Sequence, residues 1–319
     1  MKALVFTTGG THLTTMLGML EELSDRGRLC EIDSYAGISA GAILAAFCAT
    51  RPIKKAVKEL QDILIHHCKD AIKPHYKFLN MPLSALFKKS LLDDSGLANL
   101  LKERLENAPL CATLYVGLTN ETDMRYELHR FAPNEKRGSL SLSQAVHASA
   151  SIPVVLPGED SAHKHYSDGG VFHQMPVIAI EHMLRRAAKE EQKRLDLTII
   201  ASSTWLYRPE QGKGHLPYLA KKTLRFLDCT NYNNLSSDRE ILREAVSLYE
   251  GKVNVSLCMY AVPTALLRTL HERFTMDKLA NMSKDDVVKL QELGKNIVRA
   301  NCATYNIAQD EPCPVMLKY

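Results

Sequence analysis

The feature that most constrains this chain of 319 residues is the pentapeptide Gly37–Gly41, which follows the pattern Gly-x-Ser-x-Gly with Ser39 at its centre. This pattern is typical of a tight strand-to-helix bend, where the glycines let the backbone pass closely and the helix N-terminus points at the serine oxygen. A short apolar stretch precedes it, and the helix-forming run 42–47 follows it. The pattern therefore predicts a nucleophilic serine. A plain Gly/Ser turn between core elements is the alternative interpretation.

Composition narrows the function classes. Hydrophobic residues make up 45% of the chain and charged residues 24%, which indicates a packed globular core rather than disorder. The net charge of +4 permits attraction to anionic lipid surfaces. The sequence has no dense Lys/Arg block of the kind found in nucleic-acid-binding proteins, so we expect no nucleic-acid partner. The cysteines are scattered without zinc spacing, which predicts no metal site and a reducing compartment.

Targeting signals are not evident in the sequence. The apolar stretch 3–6 is too short for the core of a signal peptide, and no run approaches the ~18 apolar residues of a membrane span. We therefore expect a cytoplasmic protein that meets membranes only peripherally. Nothing in the sequence sets an oligomeric state.

Strand-like and helix-like segments alternate along the chain, which predicts an α/β fold with a largely parallel sheet and helices on both faces. Runs in which apolar and polar residues alternate, and short continuous apolar runs, predict strands over 2–6, 34–37, 113–118, 125–131, 197–201 and 253–260. Helical spacing predicts helices over 13–26, 39–49, 52–68, 97–105 with Ser95 as N-cap, 142–149 and 177–188. We expect a catalytic domain over 1–205 and a mainly helical extension over 206–319 packed on it.

A glycine turn follows the first strand, in the order Thr8, Gly9, Gly10. Acyl transfer builds negative charge on the substrate oxygen, and backbone N–H groups near a helix N-terminus can stabilise that charge. Gly9 and Gly10 are the candidate donors. A simple strand-to-helix turn is the alternative, and the pattern matches neither of the common nucleotide-binding glycine motifs.

A second turn reads Asp168, Gly169, Gly170. An aspartate can act as the base for a serine if it lies within hydrogen-bond reach, and the glycines would let a neighbouring backbone approach it. An ordinary Asp-Gly turn is the alternative interpretation.

Together, and in this order, the three segments resemble the patatin-like phospholipases, which are serine lipid acyl hydrolases with a Ser–Asp dyad. The flanking segments 16–23, 145–153 and 171–177 are similar to those of the family as well. The resemblance covers roughly residues 1–205.

The resemblance implies a three-layer α/β/α fold around a mostly parallel sheet. It implies a carboxylic ester hydrolase, of phospholipase A or esterase type, that acts on a lipid or lysolipid without metal or cofactor. Ser39 is then the nucleophile and Asp168 its base, and the N–H groups of Gly9 and Gly10 form the oxyanion hole. The motif glycines are those of the two turns: Gly37, Gly41, Gly169 and Gly170.

The chain departs from the family pattern at three positions of the glycine turn. Thr8 stands at the first of three usual glycines, Leu13 replaces another glycine, and His12 stands at a usual Arg or Lys. His12, a possible substrate contact, titrates near neutral pH. Two hypotheses follow: a preference for neutral glycerides or lysolipids, or an activity that falls as His12 loses its proton. Identical pH–rate profiles for wild type and His12→Arg would contradict the second.

Two other functions remain open at the level of sequence. One is an α/β-hydrolase esterase whose base is a histidine after Asp168, with candidates His173, His182, His215 and His271. The Gly37–Gly41 bend that carries Ser39, the nucleophile elbow, comes after only one or two strands, which is early for the α/β-hydrolase fold. The other is a catalytically silent lipid-binding scaffold, which the departures at Thr8, His12 and Leu13 suggest.

The stretch 72–92 mixes lysines with large apolar residues and could form an interfacial patch. The alternative is a lid or core helix with its lysine side chains extended toward water. Weaker binding of a Lys88→Glu, Lys89→Glu variant to anionic vesicles would support the patch. The basic stretch 221–225 could assist, although a solvated helix face is the simpler interpretation.

Overall fold

A computed structural model of the chain describes residues 1–67, 71–74, 92–135, 138–153, 155–203, 218–263, 266 and 282–300. Most of the stretch 72–92, together with His215 and His271, lies outside these residues. The side chains of 221–225 are also outside what is described.

One sheet of eight strands forms the centre of the described fold. Its strands are β1 (Lys2–Phe6), β2 (Ser34–Gly37), β5 (Thr113–Asn120), β6 (Arg125–Phe131), β7 (Glu159–Ser161), β8 (Lys164–Asp168), β9 (Arg194–Ala201) and β10 (Asn254–Ala261). The short strands β3 (Lys73–Pro74) and β4 (Leu92–Asp93) pair separately.

The strand order is β10-β9-β1-β2-β5-β8-β7, and β6 also pairs with β5. The pairings from β10 through β5 are all parallel, whereas β6, β7 and β8 pair in the antiparallel sense. The expected mostly parallel sheet is therefore confirmed, and the first strand lies in its interior because β9 and β2 pair with its two edges.

Helices cover both faces of the sheet. They are α1 (Leu13–Asp25), α2 (Ala40–Thr50), α3 (Ile53–His66), α4 (Ser95–Leu105), α5 (Leu142–Ala150), α6 (Val177–Ala187), α7 (Tyr218–Leu248) and α8 (Lys284–Arg299). Strand β1 shows the layering: Leu4 and Phe6 pack in the cluster with α1, α2 and α8, while Ala3 and Val5 pack in the cluster with α6 and α7. This alternation follows from the two-residue period of a strand.

The segment after residue 205 supplies more than helices. Strand β10 pairs with β9 along its whole length, and α8 packs against α1 so closely that a Cβ on Gly18 would overlap the carbonyl of Gln291. The division into 1–205 and 206–319 stays a prediction.

The expected N-cap at Ser95 is wrong by one residue. Helix α4 begins at Ser95, and Asp94 is its N-cap residue without a side-chain cap bond. The reason is that the Asp94 carboxylate contacts Nε2 of His147 at 2.9 Å, while the Ser95 N–H donates to Asp93 instead. Within the described ranges, no helix is long and apolar enough to cross a bilayer.

Candidate active site

Ser39 lies at the bend between β2 and α2, as the pentapeptide predicts. Its backbone has φ 59° and ψ −132°, a conformation that costs a non-glycine residue energy and persists only where the surroundings impose it. Its N–H donates to Oγ of Ser149 at 3.0 Å, and that hydroxyl donates to the carbonyl of Gly117 at 2.8 Å. The serine is only 6% exposed.

Close packing explains the two elbow glycines. A Cβ on Gly37 would overlap the carbonyl of Gly41, and a Cβ on Gly41 would overlap the carbonyl of Thr7. Any side chain at either position would therefore push α2 away from the carboxyl ends of β1 and β2. The bend holds Ser39 directly beside the glycine turn that follows β1.

Strand register brings Asp168 to Ser39. Strand β6 occupies one edge of β5 along its length, so β2 and β8 share the other edge, with Gly37 opposite Val116 and Asp168 opposite Leu118. Because β8 runs antiparallel to β5, the carboxyl ends of β2 and β8 face each other across Gly117. The residues that end these two strands are thus neighbours, although they are far apart in sequence.

Asp168 is buried and held from several sides. Its Oδ1 accepts the N–H of Gly170 at 2.7 Å, and its own N–H donates to the carbonyl of Ser151 at 2.9 Å. Burial raises the pKa of Asp168 to about 7, although the Gly170 N–H and the Ser39 side chain act in the opposite direction. A carboxylate with such a pKa is a competent base near neutral pH.

The glycine turn lies against the start of α2. A Cβ on Gly9 would stand 3.5 Å from the Cβ of Ala40, the residue after Ser39. Residues Gly10–His12 form a 3-10 turn, in which the His12 N–H donates a hydrogen bond to the Gly9 carbonyl at 2.8 Å. Among the described residues, no hydrogen-bond acceptor faces the N–H groups of Gly9 and Gly10, which leaves both available to a ligand oxygen.

Three supporting residues were not predicted as such. Ser149 and Ser151 fall within the segment 145–153 that carries the resemblance, but nothing in the sequence assigns them a role. Asp238, on α7, accepts hydrogen bonds from Nδ1 of His173 at 2.5 Å and from the N–H groups of Gln174 and Met175 at 2.6 and 2.9 Å. A single aspartate in a long helix gives no sequence signal.

The alternative histidine base finds no support in the described residues. His173 faces Asp238 through Nδ1, and His182 packs edge-on against Tyr115 with ring centroids 6.2 Å apart. The described residues also contain no group of three His, Cys, Asp or Glu side chains that could hold a metal ion.

A serine at a strained bend, a buried carboxylate and N–H groups that meet no acceptor among the described residues form an arrangement suited to acyl transfer. The family model for patatin-like phospholipases matches residues 4–180, which is more than half of the chain. This protein therefore belongs to the patatin-like phospholipase family, and its fold is the three-layer α/β/α fold expected from the sequence. Membership supports lipid acyl hydrolysis in general as its activity, with lipids as the substrate class.

Comparison with solved structures gives distant similarities. The crystal structure of VipD from Legionella pneumophila matches with 15% sequence identity and a TM-score of 0.39, over 92% of this chain and 67% of that one. ExoU in the heterodimeric ExoU–SpcU complex, from the type III secretion system of Pseudomonas aeruginosa, matches with 16% identity and a TM-score of 0.29, over 94% and 65%. The chain thus spans about two thirds of the length of these proteins. A search of curated proteins found no match.

Proposed function

We propose that this protein is a lipid acyl hydrolase of phospholipase A or esterase type, with Ser39 as nucleophile and Asp168 as base. The observation that carries the proposal is that β2 and β8 end next to each other, with Ser39 just after the end of the first and the buried Asp168 at the end of the second. Burial raises the pKa of Asp168 to about 7. A carboxylate with the usual aspartate pKa would be a much weaker base at neutral pH.

The steps follow from this geometry. Asp168 takes the Ser39 proton as Oγ attacks the ester carbonyl carbon, and the resulting oxyanion is bound by the N–H groups of Gly9 and Gly10. The carbon–oxygen bond to the alcohol then breaks, and protonated Asp168 returns its proton to the leaving oxygen. Water, deprotonated by Asp168, then attacks the acyl–Ser39 ester carbonyl. The acyl–Oγ bond breaks, protonated Asp168 returns its proton to Ser39 Oγ, and the fatty acid leaves.

Two exposed apolar side chains close in sequence to Asp168 support a lipid or lysolipid substrate. Val171 and Phe172 follow the Asp-Gly-Gly turn directly and are 39% and 37% exposed. Large apolar side chains so near a buried base are suited to an acyl chain or to the surface of a lipid assembly. We accordingly propose peripheral contact with membrane surfaces from the cytoplasmic side.

The test is ester hydrolysis on a p-nitrophenyl acyl series and on mixed phospholipid and glyceride vesicles. Wild type is compared with Ser39→Ala, Asp168→Asn and the control Ser143→Ala, which alters a serine on α5 that contacts Glu106. We expect turnover in wild type and the control, and a loss of at least ~10³-fold in both dyad variants. The vesicle products identify the bond that is cut.

Other outcomes would contradict the proposal in distinct ways. Turnover that survives in Asp168→Asn would point to a histidine base. A folded wild type without turnover on any of these esters would favour the silent lipid-binding scaffold.

A further inference from the structure

Gln174 lies where three segments of the chain meet. Its carbonyl accepts the N–H of Thr8 at 2.8 Å, and its side-chain Oε1 accepts the hydroxyl of Thr8 at 2.5 Å. The glycine turn that carries Gly9 and Gly10 is therefore attached to the loop after Asp168 at two points, one through the backbone and one through the side chains.

The second end of the Gln174 side chain faces the aspartate turn. Its Nε2 donates to the carbonyl of Gly170 at 2.7 Å, and the N–H of the same residue donates to Asp168 at 2.7 Å. A carbonyl can only accept, so Nε2 must face Gly170 and Oε1 must face Thr8. This orientation makes the Thr8 hydroxyl the donor. The Gln174 side chain thus connects the oxyanion side of the site to the base side.

The loop that carries Gln174 is itself fixed from the far side of the molecule. Asp238 on α7 is fully buried and accepts hydrogen bonds from three successive residues, His173, Gln174 and Met175. Asn234, one helical turn earlier, donates to the carbonyl of Val171 at 2.7 Å. These hydrogen bonds hold the loop in place, and the glycine turn that Thr8 attaches to it is held with it.

We propose that Thr8 and Gln174 are a pair of positioning residues, which hold the Gly9 and Gly10 N–H groups at a set distance from the Ser39–Asp168 dyad. The inference rests on the proposed function. It also accounts for Thr8, where the family usually has glycine, because a glycine would keep the backbone bond to Gln174 and lose the hydroxyl bond. The methyl group of Thr8 also faces Gly170 closely, since a Cβ built on Gly170 would stand 3.1 Å from it.

The pair should act on the transition state rather than on substrate binding. Oxyanion donors stabilise charge that exists only after the serine has attacked, so a loosened glycine turn lowers kcat and leaves KM nearly unchanged. Misplacement by about 1 Å can cost about 10²-fold, and the backbone bond between Thr8 and Gln174 remains in side-chain variants. We therefore expect losses of about tenfold.

The experiment uses the full chain and three variants: Thr8→Val, Gln174→Met and the double variant. Valine keeps the shape of threonine, and methionine keeps the length of glutamine, while both remove the bond between the side chains. Thr14→Val is the matched control, because its hydroxyl contacts the sulfur of Met282 and not the site. The kcat, the KM and the fraction of Ser39 that a fluorophosphonate probe labels are measured for each protein.

We expect each single variant to lower kcat about tenfold with KM within about twofold, and the double variant to be little worse than the lower single variant. Thr14→Val should match wild type. Two results would overturn the proposal. One is a loss of kcat in the double variant that equals the product of the two single losses. The other is a loss of kcat that equals the fall in the fraction of labelled Ser39.

Amide hydrogen exchange separates this inference from the proposed function. Thr8→Val should raise exchange both in the segment around Thr8 and in the segment from Gly170 to Gln174, with or without turnover. Unchanged exchange in both segments overturns the pairing even if the enzyme is active. Raised exchange in a protein without turnover supports the pairing and contradicts the hydrolase.

Discussion

At the scale of single residues, the chemistry depends on how Asp168 is solvated. Asp168 is 5% exposed, and burial favours the protonated form of its carboxyl group, so its pKa rises even though the carboxylate accepts the N–H of Gly170. The base form is needed to accept the proton of Ser39. Activity should therefore follow the titration of one buried group.

The first prediction is a pH–rate profile. Because kcat/KM reports groups of the free enzyme, it should rise with pH to a plateau, with its midpoint near the Asp168 pKa of about 7. Below that midpoint it should fall about tenfold per pH unit, since only the deprotonated fraction is active. Hydrolysis of a soluble p-nitrophenyl ester from pH 5 to 9 measures it.

The control is Asp168→Asn, which should leave a low residual rate without this rising limb. A variant that keeps the limb would show that another group titrates there, such as a histidine. His12→Arg should preserve the midpoint, because the midpoint belongs to Asp168.

At the scale of elements, helix α5 supports both members of the dyad. Ser149, in the last turn of the helix, accepts the N–H of Ser39 with its hydroxyl, and Ser151, the residue that follows the helix, accepts the N–H of Asp168 with its carbonyl. The helix begins with a capping box in which Ser141 and Gln144 bind each other's backbone N–H groups. A rigid helix therefore sets the relative position of two loops.

The second prediction concerns Ser149→Ala. The change leaves the Ser39 N–H and the Gly117 carbonyl without their partner, which should destabilise the fold by about 1–3 kcal/mol. It should also lower kcat about tenfold, because the strained Ser39 backbone loses one of its restraints. Chemical denaturation and steady-state kinetics measure the two effects. Ser143→Ala, on the same helix, should leave kcat unchanged; an equal fall in both variants would contradict a specific role.

The third prediction concerns the buried pairs of His147. This residue is 3% exposed, and its ring nitrogens face Glu159 at 2.8 Å and Asp94 at 2.9 Å. Burial opposes the charged ring, but the two carboxylates outweigh it and raise the pKa of His147 from 6.5 to about 9. The stabilisation is therefore fully present below pH 6.5 and is lost as the pH rises through 9.

We expect the wild-type unfolding free energy to fall across that window, and the fall to be absent in His147→Gln. The variant should also be destabilised by roughly 3–5 kcal/mol at pH 6, because it leaves two carboxylates without their cation. Urea denaturation at several pH values measures both. His182→Gln, an exposed histidine on α6, should behave as wild type, and a pH dependence that survives in His147→Gln would rule out the pairs as its cause.

At the scale of the whole molecule, local patterns and long-range contacts were not equally predictable. The elbow, the first two strands and helices such as Val177–Ala187 follow from glycine spacing and apolar period, which are encoded within a few residues. The Ser95 cap failed because the carboxylate of Asp94 contacts a histidine that lies far along the chain. Ser149, Gln174 and Asp238 could not be predicted for the same reason: their partners are set by the topology of the sheet.

That topology also bears on where the catalytic unit ends. Strand β10 covers the edge of β9, and Asp238 on α7 holds the loop after the aspartate turn. Helix α8 lies against α1, where a Cβ on Gly294 would overlap the carbonyl of Thr15. All three elements follow residue 205, outside both the resemblance and the family match.

The fourth prediction is that a fragment of residues 1–205 does not fold cooperatively, whereas residues 1–300 do. The fragment exposes the β9 edge and the apolar face of α1, and it loses the buried carboxylate of Asp238 beneath the Gln174 loop. Thermal unfolding by circular dichroism and amide dispersion in NMR spectra distinguish the two states. Asp238→Asn in the full chain separates the contribution of the Gln174 loop from those of β10 and α8. This variant should still unfold cooperatively but have a lower kcat. A fragment 1–205 that unfolds cooperatively and hydrolyses esters would instead establish the division at residue 205, with the remaining segment a dispensable extension.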